Sequence, residues 1–183
     1  MRGLKLFFTM LFMFGLTYIS VAQEQEETDE SHHKNVISIS LAHALIKQNI
    51  ENGTKDWLIP AFMVDYNHFI NEKWLVGIHS DFLLESFEIE RFNSDGTEDV
   101  ILEREYPVLV VGAVSYIPVH HLAVIAGGGM EFEKEENFAV LRLGIEPYLN
   151  ISEKWDMIFN LTYDIKINGY DTWTIGVGIA RLF

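Results

Sequence analysis

The sequence predicts an all-β chain: a closed antiparallel up-and-down β-barrel of eight strands that crosses a membrane. From Val36 onward, segments of about ten residues rich in Val, Ile, Phe, Tyr and Trp alternate with clusters of Asn, Gly, Asp, Glu and Lys, a strand-and-turn pattern. In several segments one face is apolar throughout while the other is polar or small, which is what lipid outside and a lumen inside require. The connections also alternate in character, as hairpins opening at opposite ends of a barrel must. No segment sustains a period near 3.6, so helices are not expected.

The amino-terminal 22 residues stand apart. Met1 to Lys5 is a short basic start, Leu6 to Val21 is almost unbroken apolar sequence, and Ser20 and Ala22 are the small residues a signal peptidase needs. A membrane-anchoring helix is the alternative, but so short a run sits at the lower limit of about 17 residues for spanning. Cleavage after Ala22 would leave 183 − 22 = 161 residues and remove Arg2 and Lys5, so that 11 basic face 27 acidic residues, a net −16 against −14 for the whole chain. Residues 23–35, a polar run without periodicity, read as a flexible acidic lead on the periplasmic side, followed by the barrel over 36–183.

Eight segments follow: Val36–Ile46, Trp57–His68, Trp74–Glu88, Val100–Ile117, His121–Phe132, Phe138–Asn150, Trp155–Ile167 and Thr172–Phe183. In the seventh, Trp155, Met157, Phe159, Leu161, Tyr163 and Ile165 share one face and Asp156, Asn160, Thr162, Asp164 and Lys166 the other. In the eighth, Trp173, Ile175, Val177, Ile179 and Phe183 oppose Thr172, Thr174, Gly176, Gly178 and Ala180. Arg181 is the one charge on that apolar face, near a strand end where its stem can snorkel. The third and sixth segments alternate in the same way, whereas the fourth and fifth are apolar on both faces in places.

Loops after the first, third and seventh segments carry the hairpin signals Asn52-Gly53, Asn93-Ser94-Asp95-Gly96 and Asn168-Gly169. Tight turns follow the second, fourth and sixth, and Ile70-Asn71-Glu72-Lys73-Trp74 is echoed by Ile151-Ser152-Glu153-Lys154-Trp155. An even strand number then returns the carboxyl terminus to the periplasmic side. Trp57 and Trp173 are expected at the outer rim and Trp74 and Trp155 at the inner one, as an aromatic girdle at the headgroup level. The segment from Ser86 to Glu105 exceeds the about 9–11 residues needed to cross. It is expected to project outward as an acidic β-ribbon, a surface that could bind a partner by strand addition.

With these segments in place, the chain resembles the superfamily of small eight-stranded bacterial outer-membrane β-barrels. The resemblance rests on the alternating segments from Val36 to Phe183 and on the last strand. It implies that Ile175, Val177, Ile179 and Phe183 form the terminal signal read by the barrel-assembly machinery, with Arg181 departing from the pattern at one position. The partners so implied are outer-membrane lipid and that machinery, with a surface ligand at 86–105 as a further possibility and localisation in the bacterial outer membrane.

The composition narrows the chemistry. The absence of cysteine removes disulfides, thiolate chemistry and a lipoprotein anchor, and the acidic balance argues against nucleic acid. No cofactor or metal is expected: the pairs His32-His33 and His120-His121 lack further ligands at fixed spacing. Eight strands make an interior just wide enough for side chains. The inward candidates His79, Asp81, Glu85, Glu131, Arg142, Glu146, Asp164 and Lys166 are expected to pair into a network that fills it. A catalytic role is disfavoured, because His79 and Ser80 point to opposite faces and no serine stands beside His79 and Asp81. The expected function is therefore a non-enzymatic barrel with a structural or surface-binding role. The alternatives are a transporter of a small solute and a lipid-modifying enzyme, and the rival fold is a soluble lipocalin-type barrel with its apolar face inward.

Overall fold

The computed structural model describes residues 34–50, 53–91 and 100–183, and the side chains of 34–46, 56–89 and 102–183. The expected signal peptide, nearly all of the polar lead, the His32-His33 pair, Asn52 and the Asn93–Gly96 tip lie outside the described residues. Among the described residues ten strands occur: β1 (Asn35–Ile50), β2 (Gly53–Asn71), β3 (Trp74–Leu83), β4 (Phe87–Arg91), β5 (Val100–Arg104), β6 (Val108–Val119), β7 (Leu122–Phe132), β8 (Phe138–Ser152), β9 (Trp155–Lys166) and β10 (Asp171–Leu182). Eight of them close in the order β1-β10-β9-β8-β7-β6-β3-β2, and β4 and β5 form a separate two-stranded sheet.

Closure needs the last strand to find the first. Ile39 of β1 lies opposite Ile179 of β10 and Val64 of β2. At the end of this seam, the Asn35 N–H donates to the Phe183 carbonyl and the Phe183 N–H to that of Asn35, both at 2.9 Å. Every barrel strand is thereby paired on both sides, which leaves no row of unsatisfied amides to face hydrocarbon. Asn35, assigned above to the flexible lead, is instead the first residue of the barrel.

The echoed turns occupy equivalent places. Glu72-Lys73 and Glu153-Lys154 are two-residue loops closed by Asn71 opposite Trp74 and Ser152 opposite Trp155, each with a register shift just before it. Asn71 Oδ1 accepts the N–H groups of Lys73 and Trp74 at 3.0 and 3.1 Å, so the side chain supplies hydrogen bonds that the tight turn leaves open. The His120-His121 turn carries the same kind of shift, and His121 takes a φ of 68°.

Which face meets which medium decides the fold class. Leu41 and Ile175 are 68 % and 63 % exposed on the outside, whereas Arg142 and Asp81 inside are 1 % and 2 % exposed. Exposed Ile, Leu, Val, Phe and Trp side chains cover the outer wall of all eight barrel strands. A continuous apolar band of that kind is stable against acyl chains and would aggregate in water. The lipocalin-type alternative requires the reverse placement.

The third and fourth barrel strands are shorter than the segments Trp74–Glu88 and Val100–Ile117. β3 ends at Leu83 and β6 starts at Val108, and the intervening β4–β5 hairpin leaves the barrel wall. It does not stand clear as a ribbon: Phe87, Ile89 and Arg104 are buried, packed with Ala44, Ile46, Ile59, Leu83, Phe138 and Tyr170. The reason lies in the pairing. Phe87 faces Arg104 and Ile89 faces Leu102, so these four share one side while Glu88 and Glu103 share the other. An amphipathic ribbon buries its apolar side, and the open end of the barrel is the surface it finds.

Candidate functional site

The interior is built from inward positions that recur every second residue along each strand. One wall is apolar: Leu109, Val111 and Ala113 of β6 pack with Ile125 of β7 and Val140 of β8. The wall from β9 through β2 is polar, with Asn160, Thr162, Thr172, Thr174, Ser40, Ser38 and Asp65 all buried.

At the middle, Arg142 of β8 reaches in two directions. Its Nη1 and Nη2 donate to the two Asp81 carboxylate oxygens at 3.2 and 2.5 Å, and its Nε and Nη2 donate to those of Asp164 at 2.7 and 2.8 Å. In the ring order, β3 and β9 have three strands between them either way, so Asp81 and Asp164 stand on opposite walls. One guanidinium bolts the lumen across its width. Its planar fork suits two bidentate partners, which a lysine could not engage.

Toward the mouth a second network holds the hairpin. Glu131 of β7 accepts from Arg104 Nη2 at 2.6 Å and from the Tyr170 hydroxyl at 2.9 Å, and pairs with Lys166 Nζ at 3.4 Å. Arg104 Nη1 also donates to the Glu136 carbonyl at 2.6 Å and pairs with Glu133 at 3.4 Å. The Arg104 guanidinium lies 4.6 Å above the Phe138 ring, and Phe87 meets Tyr170 edge-on at 5.4 Å. Burial pushes the Glu133 carboxyl up. The backbone N–H groups of Glu135 and Lys134, and then the charge of Arg104, outweigh it and leave the group below its ordinary value.

Toward the end that carries Asn35 and Phe183 the pairing changes. His79 Nε2 meets Asn67 Oδ1 at 3.1 Å, and Ser38 Oγ donates to Asp65 Oδ2 at 3.4 Å. The amide of Asn160 donates to Glu146 and that of Asn150 to Asp156, each at 2.7 Å. At the rim the His120 and His121 rings stack 4.1 Å apart. Burial, then the neighbouring His120, lowers the His121 imidazole below its usual value against the pull of Asp156.

Seven of the eight expected lumen residues face inward: His79, Asp81, Glu131, Arg142 and Asp164, with Lys166 beside Glu131 and Glu146 beside Asn160. Glu85 does not. It lies past the end of β3, exposed, where the chain has left the barrel wall. The expected lumen network omits Arg104, Tyr170, Asp65 and Asn160, although Asn160 stands on the polar face of the seventh segment. Asp65 and Asn160 were within reach, since Asp65 shares a face with Ala61 and Met63, and Asn160 with Asp164.

Trp74, Trp155 and Trp173 are exposed on the outer wall, Trp74 at 4.7 Å from Tyr116 and Trp173 at 4.6 Å from Tyr163. Trp57 is a correction: it shares the inward face of β2 with Ile59 and Ala61 and packs against the mouth cluster, 6.5 Å from Phe87. Single-tryptophan variants in vesicles of brominated lipid should show quenching of Trp173 fluorescence and little of Trp57. Equal quenching of both would contradict this placement. Ile175, Val177, Ile179 and Phe183 all lie on the outer wall of β10 or its end.

No family model and no curated protein matches the chain. Solved structures do. The attachment invasion locus protein Ail of Yersinia pestis, determined with the heparin analogue sucrose octasulfate, superposes with a TM-score of 0.53 at 16 % identity, over 82 % of this chain and 98 % of that one. The outer membrane protein AlkL, determined in lipid bilayers, gives 0.53 at 11 % identity, over 88 % and 96 %. Neisserial surface protein A gives 0.51 at 10 % identity, over 81 % and 97 %. The fold is that of the small eight-stranded outer-membrane barrels, as the resemblance in sequence implied.

Proposed function

We propose that this chain is an exported, non-enzymatic outer-membrane barrel whose lumen is closed by its own side chains and whose mouth holds the β4–β5 hairpin as a plug, with a structural or surface-binding role. The observation that carries this reading is Arg142 held by Asp81 and Asp164 from opposite walls. A solute crossing the lumen would have to break a doubly bidentate, buried ion pair and then displace Phe87 and Ile89 from the mouth. The outer-membrane location is supported by the lipid-facing apolar band, by the likeness to Ail, AlkL and Neisserial surface protein A, and by the signal-like residues 1–22.

The two residues best suited to act as a catalytic acid and base are otherwise engaged: His79 meets Asn67 and Asp81 binds Arg142. The outer end also selects its partners by charge. Glu88, Glu103, Glu105 and Glu135 are exposed there beside Lys134, which pairs with Glu105. An anionic ligand like the one bound by Ail would be repelled, so a surface partner here is cationic.

The test is planar-bilayer recording on the purified protein. The wild-type chain is expected to be electrically silent, and a variant lacking residues 84–107 and carrying Arg142→Ala is expected to conduct. Stable unitary currents from the wild type would support the transporter reading instead, and lipid A altered by expression of the chain would support the enzyme reading.

A further inference from the structure

The charges of the lumen do not balance along its length. Arg104, Arg142 and Lys166 all engage acids at or above the level of Asp81, and on the periplasmic side of Arg142 no Lys or Arg pairs with an acid among the described residues. Yet three carboxylates stand there: Asp156, held by Asn150 near the rim, and Asp65 and Glu146 deeper in. Asp65 lies opposite His79 on the β2–β3 ladder, two residues below Asp81. Glu146 lies four residues below Arg142 on β8. β2 and β8 are again separated by three strands either way, so the two acids face each other across the lumen.

Between them the polar wall presents acceptors without partners. Asp65 Oδ1, Asn160 Oδ1, Ser40 Oγ and Thr162 Oγ1 have no hydrogen-bond partner, although their residues are only 2 %, 3 %, 1 % and 1 % exposed. Gly176 and Gly178 lie between Ser40 and the β9 pair and add no side chain. Buried acceptors left unpaired are costly, and a buried carboxylate more so, unless something donates to them. A donor carrying positive charge would satisfy both needs.

We propose that this periplasmic half-lumen binds a small organic cation carrying ammonium groups, with Asp65 and Glu146 as counter-ions and Ser40, Asn160 and Thr162 as acceptors. An ammonium group donates three hydrogen bonds and needs spaced acceptors. An inorganic divalent ion needs several oxygens converging within a narrow shell. No group of three or more His, Asp or Glu side chains placed to hold a metal occurs among the described residues, which favours the amine. Two carboxylates on opposite walls fit a diamine best. The route in is from the periplasm, past the exposed Asn150 and the Asp156 carboxylate it holds, because Arg142 and the hairpin close the other end. This inference does not depend on the surface role proposed above.

The test is calorimetric titration of the refolded chain in detergent micelles with 1,4-diaminobutane at neutral pH and low salt. Saturable one-site binding is expected, weakened about tenfold to hundredfold by Asp65→Asn or by Glu146→Gln, the range for loss of one charge-assisted hydrogen bond. Glu85→Gln, exposed past the end of β3, is expected to leave binding unchanged. A heat-modifiable gel shift shows that each variant is folded, and a rise in the wild-type unfolding midpoint with diaminobutane gives a reading that needs no variant. Three results would overturn the proposal: no saturable binding, undiminished affinity in both lumen variants, or Mg²⁺ binding that those variants abolish while the diamine does not bind.

Discussion

Arg142→Met is expected to destabilise the folded barrel by about 3–5 kcal/mol, the cost of leaving buried charges without their partner. The size follows from what remains: Asp81 and Asp164 are 2 % and 1 % exposed, and between them they accept four hydrogen bonds from this one side chain. The loss therefore comes from stranded carboxylates more than from the missing attraction. That distinction can be measured. The triple variant Asp81→Asn, Arg142→Met, Asp164→Asn should recover much of the stability, since neutral amides tolerate the site better than unpaired ions. Urea unfolding in lipid vesicles, followed by tryptophan fluorescence, gives both values. A single variant within about 1 kcal/mol of the wild type, the scale of an exposed ion pair, would show that the bolt closes the lumen without holding the barrel together.

Arg104→Ala is expected to release the hairpin from the mouth while leaving the barrel closed. Glu131 keeps Tyr170 and Lys166, whereas the link from β5 to Glu133 and to the Glu136 carbonyl is lost. Loss of about 2–4 kcal/mol of local stability raises the opened population roughly 30-fold to 1,000-fold. The rate of proteolysis within residues 84–107 should rise by a comparable factor, provided closing is fast relative to cleavage. The heat-modifiable gel shift should persist, because none of the eight barrel strands changes its pairing. Acid should act in the same direction. The Glu133 carboxyl is held below its ordinary value of 4.5 in the folded chain, so its contribution is present above that pH and is lost as pH falls through the lowered value. Cleavage of the wild-type hairpin that stays flat through this window would show that Glu133 does not secure it.

The hairpin also shows where sequence reading stops. Phe87-Glu88-Ile89 and Leu102-Glu103-Arg104 alternate as clearly as the membrane strands do, and that alternation was available. A free ribbon would leave its apolar side bare, and the barrel mouth covers it. Trp57 failed for a related reason. An aromatic near a strand start suits a girdle, but the parity of Ile59, Ala61 and Met63 places it inside. Glu85 keeps the phase of β3 in sequence but lies past Leu83, where the strand ends.

The sequence by itself determined the strands, the inward or outward phase of most of their residues, and the inverted arrangement of greasy outside and polar inside. These depend on local alternation with a period of two, which each segment carries without knowledge of the others. Only the tertiary structure decided that Asp81, Arg142 and Asp164 meet, that Arg104 anchors the hairpin in the mouth, and that Asp65 and Glu146 face each other across the lumen. Those pairings depend on strand order and on the stagger with which the sheet closes. That stagger is a property of all eight strands together and is written in none of them singly.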